Sequence, residues 1–336
     1  MIAEMTIRTA AFRGRAKRLG CALALLLTVG CLSDGAVTAK PAGPLTAETA
    51  CEFAREEEGP EGLSALSRIE GNRYYSVDDR GGMLYELEIA WDDRSECGTC
   101  KVVRGVRLEG RTDLEGCAYD PLDGRVWVSD EADSSVRQYD PATGRQTAQV
   151  EVPEVFRKNI VSNRSFEGLA VSPDGLRLYV ANEDTLRCDG PVADNRHGGL
   201  VRIQEFVREG AGRPWTPTRQ LFYPTDAIEG GQYRGLAVSG VAALCVTDDG
   251  ALLVLEREMS CKNPLFPSFR ARLYEVSPAD AGRPVGKRLV WEENTMFSNY
   301  EGLSLGPVRK DGTRTAVLIS DGGGEAEKNV LVLSLR

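Results

Sequence analysis

A single histidine serves all 336 residues, His197 in the polar stretch VADNRHGG. A Ser-His-Asp triad or a histidine phosphatase would have to use it, and a zinc site built from several histidines is excluded. His197 itself is read as an exposed loop residue. Basic residues are also in short supply, 41 Lys and Arg against 50 Asp and Glu, for a net charge of −9. Nucleic acid is therefore not an expected partner. No long segment with a 3.6-residue apolar period follows the N-terminal region, which argues against a helical solenoid. The glycine-rich SDGGGEAEKN lacks the strand-to-helix setting and the lysine placement of a phosphate-binding loop.

The apolar run LGCALALLLTVG is too short to span a bilayer and follows Arg8, Arg13, Arg15, Lys17 and Arg18. That order of charge and apolar residues reads as an export signal. It ends either at VTA before Lys40, giving a leader of residues 1–39, or at LTVGC, making Cys31 a lipidated N-terminus. The expected location is periplasmic, outer-membrane lipoprotein or secreted, with membrane contact only through a lipid on Cys31. A linker over 40–50 and one domain over 51–336 complete the organisation, and a monomer is expected.

Seven of the nine cysteines follow the leader, an odd number that leaves at least one thiol free. Export makes pairing chemically reasonable. Cys97 and Cys100 in the polar CGTC are expected to form a structural disulfide. Cys188 and Cys261 each follow a glutamate by five residues, at Glu183 and Glu256, and this shared register predicts a bond between loops of adjacent repeats. Cys117 and Cys245 fall in apolar runs and are expected to stay buried thiols, while Cys51 has no assigned partner.

What the chain does have is a repeat. SFEGLAVSPDGLRLYVANE holds two apolar runs around a Pro-Asp-Gly turn, the pattern of a β-hairpin. Related units begin at Glu61, Glu115, Glu167, Arg234 and Glu301, with two further strand-like runs between successive copies. Four antiparallel strands repeated in this way describe an all-β β-propeller. Five blades are expected, with six as the alternative. The last repeat shows only three strands, and CEFARE at Cys51 to Glu56 is expected to supply the fourth, closing the ring by pairing of N- and C-terminal strands.

A hairpin returns the chain to its starting side, so residues before its first strand and after its second are neighbours. The first strands open at Glu61, Glu115, Glu167, Arg234 and Glu301, and the second strands end at Asp78-Asp79, Asp130-Glu131, Asn182-Glu183, Glu256-Arg257 and Asp321. In a propeller this places a ring of mostly acidic groups around one channel mouth. Crowded carboxylates raise one another's pKa unless a cation intervenes, and an all-oxygen ring suits Ca2+. The candidate metal ligands are Glu61, Glu115, Glu167, Glu301, Asp130, Glu183 and Asp321. Alternatively, the glutamates accept backbone hydrogen bonds and tie neighbouring blades together. Arg234 and Arg257 would hold an anionic substrate, or Arg234 would fill the missing acidic place with an internal salt bridge.

EGLAVSPDGLRLYVANE, LLVLER, YEGLSLG and VLISDG, with the opening GLSALSRIEGNRYYSVDDR, resemble the exported bacterial domains called phytase-like, or esterase-like activity of phytase. The resemblance covers about Glu61 to Arg336. It implies a β-propeller and Ca2+-assisted hydrolysis of a phosphoester at the acidic mouth. Two other readings stay open: a lactonase-like hydrolase, and a non-catalytic propeller that presents its mouth to a ligand or cell-envelope partner.

Overall fold

The computed structural model describes residues 48–51, 60, 62–91, 97–262, 267–279, 284–296, 298–321 and 330–335. The export signal, Cys31 and Glu61 lie outside the described residues. The side chains of Cys97 and Arg234 do so as well.

Five four-stranded antiparallel sheets make a five-bladed propeller. Blade 1 runs through β2 (Ser67–Glu70), β3 (Arg73–Val77), β4 (Met83–Trp91) and β5 (Cys97–Arg107). Blade 2 holds β6 (Leu114–Asp120), β7 (Arg125–Asp130), β8 (Ser135–Tyr139) and β9 (Gln146–Gln149). A one-and-a-half-turn helix, α1 (Glu154–Asn159), leads into blade 3, with β10 (Phe166–Val171), β11 (Arg177–Asn182), β12 (Leu200–Val207) and β13 (Thr216–Pro224). Blade 4 has longer inner strands, β14 (Ala237–Val246) and β15 (Leu252–Cys261), followed by β16 (Pro267–Val276) and β17 (Lys287–Thr295). Blade 5 consists of β18 (Tyr300–Leu305), β19 (Arg314–Ser320) and β20 (Val330–Leu335), closed by β1 (Glu48–Cys51).

The N-terminal strand does complete the last blade, but earlier in the chain than expected. Thr49 pairs with Val332 and Cys51 with Val330, so of the expected CEFARE only Cys51 falls in the described closing strand, and Glu52 to Glu56 lie outside the described residues.

The core is not one cluster but five, each at a seam between two blades. Tyr179, Ile203 and Leu221 of blade 3 pack on Val241, Leu252 and Val276 of blade 4. Leu255, Leu273 and Trp291 of blade 4 meet Leu303, Leu318 and Leu331 of blade 5. Both faces of each sheet are thus buried, which explains near-continuous apolar runs such as LYVA and LLVL. One seam also carries a buried ion pair: Arg208 Nη2 lies 2.6 Å from Asp120 Oδ1, and the guanidinium covers the Trp215 ring at 4.4 Å.

The inner strands β2, β6, β10, β14 and β18 touch one another around the axis. Their hairpin-turn ends enclose a cavity of 380 Å3 with a collar of Leu66, Cys117, Leu169, Leu244 and Leu303. The opposite ends carry the mostly acidic ring.

Candidate functional site

A β-bulge aims the glutamates. In blade 3, Phe166 pairs with Asn182 and Gly168 with Ala181, leaving Glu167 as the extra residue. The same irregularity frees Glu301 between Tyr300 and Gly302, and Glu115 between Leu114 and Cys117. A bulge bends its strand and redirects the extra side chain, here toward the channel axis.

The other two blades keep the bulge position and change its residue. In blade 4 the register shifts between Val241 and Ala243, so Ala242 stands where Glu167 would. Arg234 lies eight residues upstream, in a single 3-10 turn over Tyr233–Gly235, and its side chain lies outside the described residues. In blade 1 the frame is set by one backbone bond. Asp79 N–H donates to the Gly62 carbonyl (3.0 Å), as Glu183 does to Ser165 (2.6 Å) and Asp321 to Asn299 (2.9 Å). Ser64 therefore takes the glutamate position, and Glu61 lies three residues before it.

The ends of the second strands sort into two positions, because successive side chains leave a strand on opposite faces. Asp78, Asp130, Asn182, Glu256 and Ser320 turn away from the axis. Asp78 Oδ1 accepts from the N–H of Gly81 and Met83, each at 2.9 Å. Asp130 pairs with Arg111 at 3.2 Å and accepts from Ala132 N–H at 3.0 Å. Glu256 accepts from the Tyr223 hydroxyl at 2.6 Å. Asp130 is thus a turn-holding residue, not a member of the mouth cluster. The next residue in each blade faces the mouth: Asp79, Glu131, Glu183, Arg257 and Asp321.

Arg257 is the inversion in this ring. Its buried guanidinium contacts three carboxylates from two other blades: Nη2 lies 2.7 Å from Glu183 Oε1 and 3.5 Å from Glu167 Oε1, while Nη1 donates to Glu301 Oε1. Burial works to lower its pKa, and Glu167, Glu301, Glu183 and Glu115 together outweigh that and raise it. Sequence reading placed Arg257 as a substrate-binding residue; its guanidinium is instead spent inside the ring. Arg164 adds a second contact to Glu183 Oε1, at 2.7 Å.

On the side of the mouth shared by blades 2 and 3, acid outnumbers base. Ligand oxygens of Asp113, Glu115 and Glu131 lie within 4.8 Å of one another, and so do those of Glu131, Glu167 and Glu183. The two sets share Glu131 and form one continuous arc. Glu131 Oε1 accepts from Ser165 N–H at 2.9 Å. Burial, then repulsion from Glu183, pushes its pKa up to about 7. Glu167 is likewise raised well above the usual carboxylate range, by burial first and then by Glu183, against the pull of Arg257. These acidic clusters could hold a metal ion. All five residues offer only oxygen donors, which fits a hard cation such as Ca2+ and not a soft one.

Of the expected ligands, Glu115, Glu167 and Glu183 lie in the arc. Glu301 sits across the mouth on Arg257, and Asp321 lies 3.4 Å from Asn299 Nδ2, which also donates to Glu301 at 2.8 Å. Sequence reading missed Asp113 and Glu131 as ligands. Both had a signal: Asp113 stands two residues before Glu115, and its carbonyl accepts from Glu131 N–H at 2.9 Å, while Glu131 is the mouth-facing neighbour of Asp130.

The expected disulfides are absent among the described residues. Cys188 and Cys261 are free thiols, one exposed and one buried. Their matching count from Glu183 and Glu256 misleads because β11 ends at Asn182 whereas β15 continues to Cys261. Cys188 therefore sits in a loop, 3.7 Å from Asp189, and Cys261 in a strand paired with Pro267. Cys97 and Cys100 fall on the single strand β5, and Cys100 is free and buried. Three residues of extended chain span about 10 Å, too far for a bond that needs Cα atoms within about 7 Å. Cys117 and Cys245 are buried free thiols as expected, and His197 is exposed.

The phytase-like family model, described as esterase-like activity of phytase, matches residues 59–322. No curated protein matches the sequence. Among solved structures, a glutaminyl cyclase of Myxococcus xanthus is 11% identical with a TM-score of 0.46, over 87% of this chain and 96% of that one. A gluconolactonase of Xanthomonas campestris is 10% identical with a TM-score of 0.38, over 88% and 100%. The hydrazine synthase of Kuenenia stuttgartiensis is 15% identical with a TM-score of 0.39; the match covers 80% of this chain but only 58% of that one. The family match spans most of the five-bladed ring and every carboxylate of the arc, and the chain belongs to the phytase-like family.

Proposed function

We propose that this chain is an exported, monomeric, Ca2+-dependent hydrolase of small phosphoesters, acting at the acidic mouth, either soluble or held to a membrane by a lipid on Cys31. The observation that carries the reading is the five-carboxylate arc of Asp113, Glu115, Glu131, Glu167 and Glu183, with Glu131 and Glu167 driven toward protonation by burial first and then by the neighbouring Glu183. A cation relieves that crowding and reverses the sign of a mouth that would otherwise repel an anion. When bound, Ca2+ would supply Lewis acidity toward a phosphoryl oxygen and offset its charge.

The chain's own residues divide the remaining work. Glu131, shared by both halves of the arc, is placed to hold the cation and, in its absence, a proton. Ser165 N–H fixes the Glu131 carboxyl by its 2.9 Å bond. Arg164, more exposed than Arg257 but also paired with Glu183 through Nη1, would meet an anionic substrate at the rim through its remaining N–H groups. Arg257 orients Glu167 and Glu183 from below.

A second reading, a non-catalytic propeller that binds a ligand or envelope partner, draws on Arg257: three ring carboxylates serve an internal ion pair. The experiment that separates these is Ca2+ titration calorimetry followed by a panel of p-nitrophenyl phosphate, a carboxylic ester and a lactone, each with Ca2+ and with EDTA. Ca2+-dependent phosphoester turnover, lost in EDTA and in Glu131→Gln, is expected. Turnover of the lactone alone would make the protein lactonase-like, and Ca2+ binding without turnover of any substrate would favour the non-catalytic reading.

A further inference from the structure

We propose that Arg257 is a resident cation: its guanidinium fills a cation position bounded by Glu167, Glu183 and Glu301, and thereby limits the mouth to one divalent ion, held in the arc. Only the count of one ion in the wild type rests on the function proposed above; the occupation of the second position by arginine stands on geometry.

Three observations support it. The first is register. Arg257 occupies the mouth-facing place that Asp79, Glu131, Glu183 and Asp321 hold in the other blades, so one blade in five contributes the opposite charge at an equivalent point. The bulge residue beside it is also changed, to Ala242, which removes the glutamate that would otherwise lie against the guanidinium from its own blade.

The second is the form of the contact. An isolated Arg-carboxylate pair is commonly bidentate, two N–H groups on one carboxylate. Arg257 instead meets three carboxylates, each through a single Oε1, from blades 3 and 5. One positive charge surrounded by several monodentate oxygens is how a carboxylate cage holds a metal ion.

The third is burial. Arg257 and the three glutamates are all buried. Charges withdrawn from water demand compensation on the spot, so the three glutamates, wherever they are ionised, need a cation whether or not a metal is supplied. The guanidinium meets that need at every metal concentration. It also engages Glu167 and Glu183 through Oε1, setting the orientation in which the same two carboxylates complete the arc with Glu131. Arg257 is accordingly a positioning residue for the arc as well as a substitute for an ion.

The test uses the full chain as wild type, Arg257→Met, Arg257→Gln and Arg257→Lys, with calorimetric titration of CaCl2 and melting curves in EDTA and in millimolar Ca2+. Wild type is expected to bind one Ca2+ and Arg257→Lys to retain that stoichiometry. Arg257→Met and Arg257→Gln are expected to bind two. Their melting temperature should fall by about 10 °C in EDTA, the scale set by breaking a buried pair in a domain of this size, and recover by at least half in Ca2+. A purely structural arginine would give the same deficit in both media with unchanged stoichiometry, and that result overturns the proposal. So does failure of both neutral variants to fold even with Ca2+ present. If the wild type binds no Ca2+ while Arg257→Met binds one, the resident cation stands and the proposed hydrolase falls.

Discussion

Blades 3 and 4 sit side by side, share a seam, and treat the channel mouth in opposite ways. Blade 3 offers Glu167 from its bulge and Glu183 after its second strand; blade 4 offers Ala242 and Arg257 from the same two places. Blade 3 stops at the mouth, with six residues in each inner strand, whereas the inner strands of blade 4 run for ten and rise past it. The extension carries its own ion pairs, Arg272 with Glu292 at 3.0 Å and Glu258 at 3.5 Å, and Arg270 with Glu292 at 2.7 Å. The fivefold repeat is thus a repeat of backbone and register. Charge is free to differ from blade to blade, and one inverted blade is enough to counter acids contributed by its neighbours.

The sharpest way to break this contrast is to make blade 4 like blade 3. Arg257→Glu would place a fourth carboxylate among Glu167, Glu183 and Glu301 and remove their cation. Removing one partner of a buried pair costs roughly 3–5 kcal/mol, and reversing its charge is expected to cost more. Urea unfolding in EDTA should show the loss, and added Ca2+ should return part of it. An unfolding midpoint within error of the wild type would mean that the three glutamates do not depend on Arg257.

Much of this was readable in the sequence. The Pro-Asp-Gly and related turns mark the hairpins, and antiparallel pairing alone puts Glu115, Glu167, Glu183, Glu301 and Asp321 at one end. The ring closure was also readable, because three strands at one terminus leave an edge that the other terminus must cover. The failures occur where register is set by backbone hydrogen bonds that leave no residue signature. Glu61-Gly62-Leu63 looks like Glu167-Gly168-Leu169, but the bond from Asp79 to Gly62 makes Ser64-Ala65-Leu66 its counterpart. In blade 4 the apolar pattern continues through both strands, so nothing in it marks Ala242 as the bulge. The role of Arg257 depends on side chains 44 to 90 residues away, beyond any local pattern.

A second contrast is between the arc and the Arg257 side of the same mouth, and pH resolves it. Glu131 titrates at about 7 in the folded protein against an ordinary value of 4.5. Because the folded value is raised, the stability it confers is fully present below pH 4.5 and is lost as pH rises through about 7. The shift corresponds to at most about 3–4 kcal/mol, since one unit is worth about 1.4 kcal/mol. Glu131→Gln keeps an acceptor for Ser165 N–H and removes the charge. In EDTA, wild type is expected to lose stability relative to Glu131→Gln between pH 4.5 and 7.5. In Ca2+ the difference should vanish or change sign, because the ion favours the ionised carboxylate. Parallel pH profiles for the two proteins in EDTA would show that burial and Glu183 do not hold the Glu131 carboxyl above its ordinary value.

The smallest expected effect concerns the residue after the bulge, glycine in blades 2, 3 and 5 but Ala65 and Ala243 in the other two. A Cβ on Gly116 would come within 2.5 Å of the Glu167 carbonyl oxygen, 2.7 Å of Ser129 Oγ and 2.9 Å of Leu169 Cβ. The nearest obstacle is the backbone of the neighbouring blade, which cannot rotate aside, so the seam itself would have to open. Ala243, by contrast, already carries its methyl group in a buried site of the packed seam with blade 5. Gly116→Ala is therefore expected to cost about 1–3 kcal/mol, in the range of overpacked cores. Ala243→Gly should cost about 1 kcal/mol, from backbone entropy and the lost methyl. Urea unfolding of the two variants side by side measures both. Equal losses would mean that the seams between blades 2 and 3 and between blades 4 and 5 are packed alike, and that the alternation of glycine and alanine around the ring carries no information about how closely neighbouring blades approach.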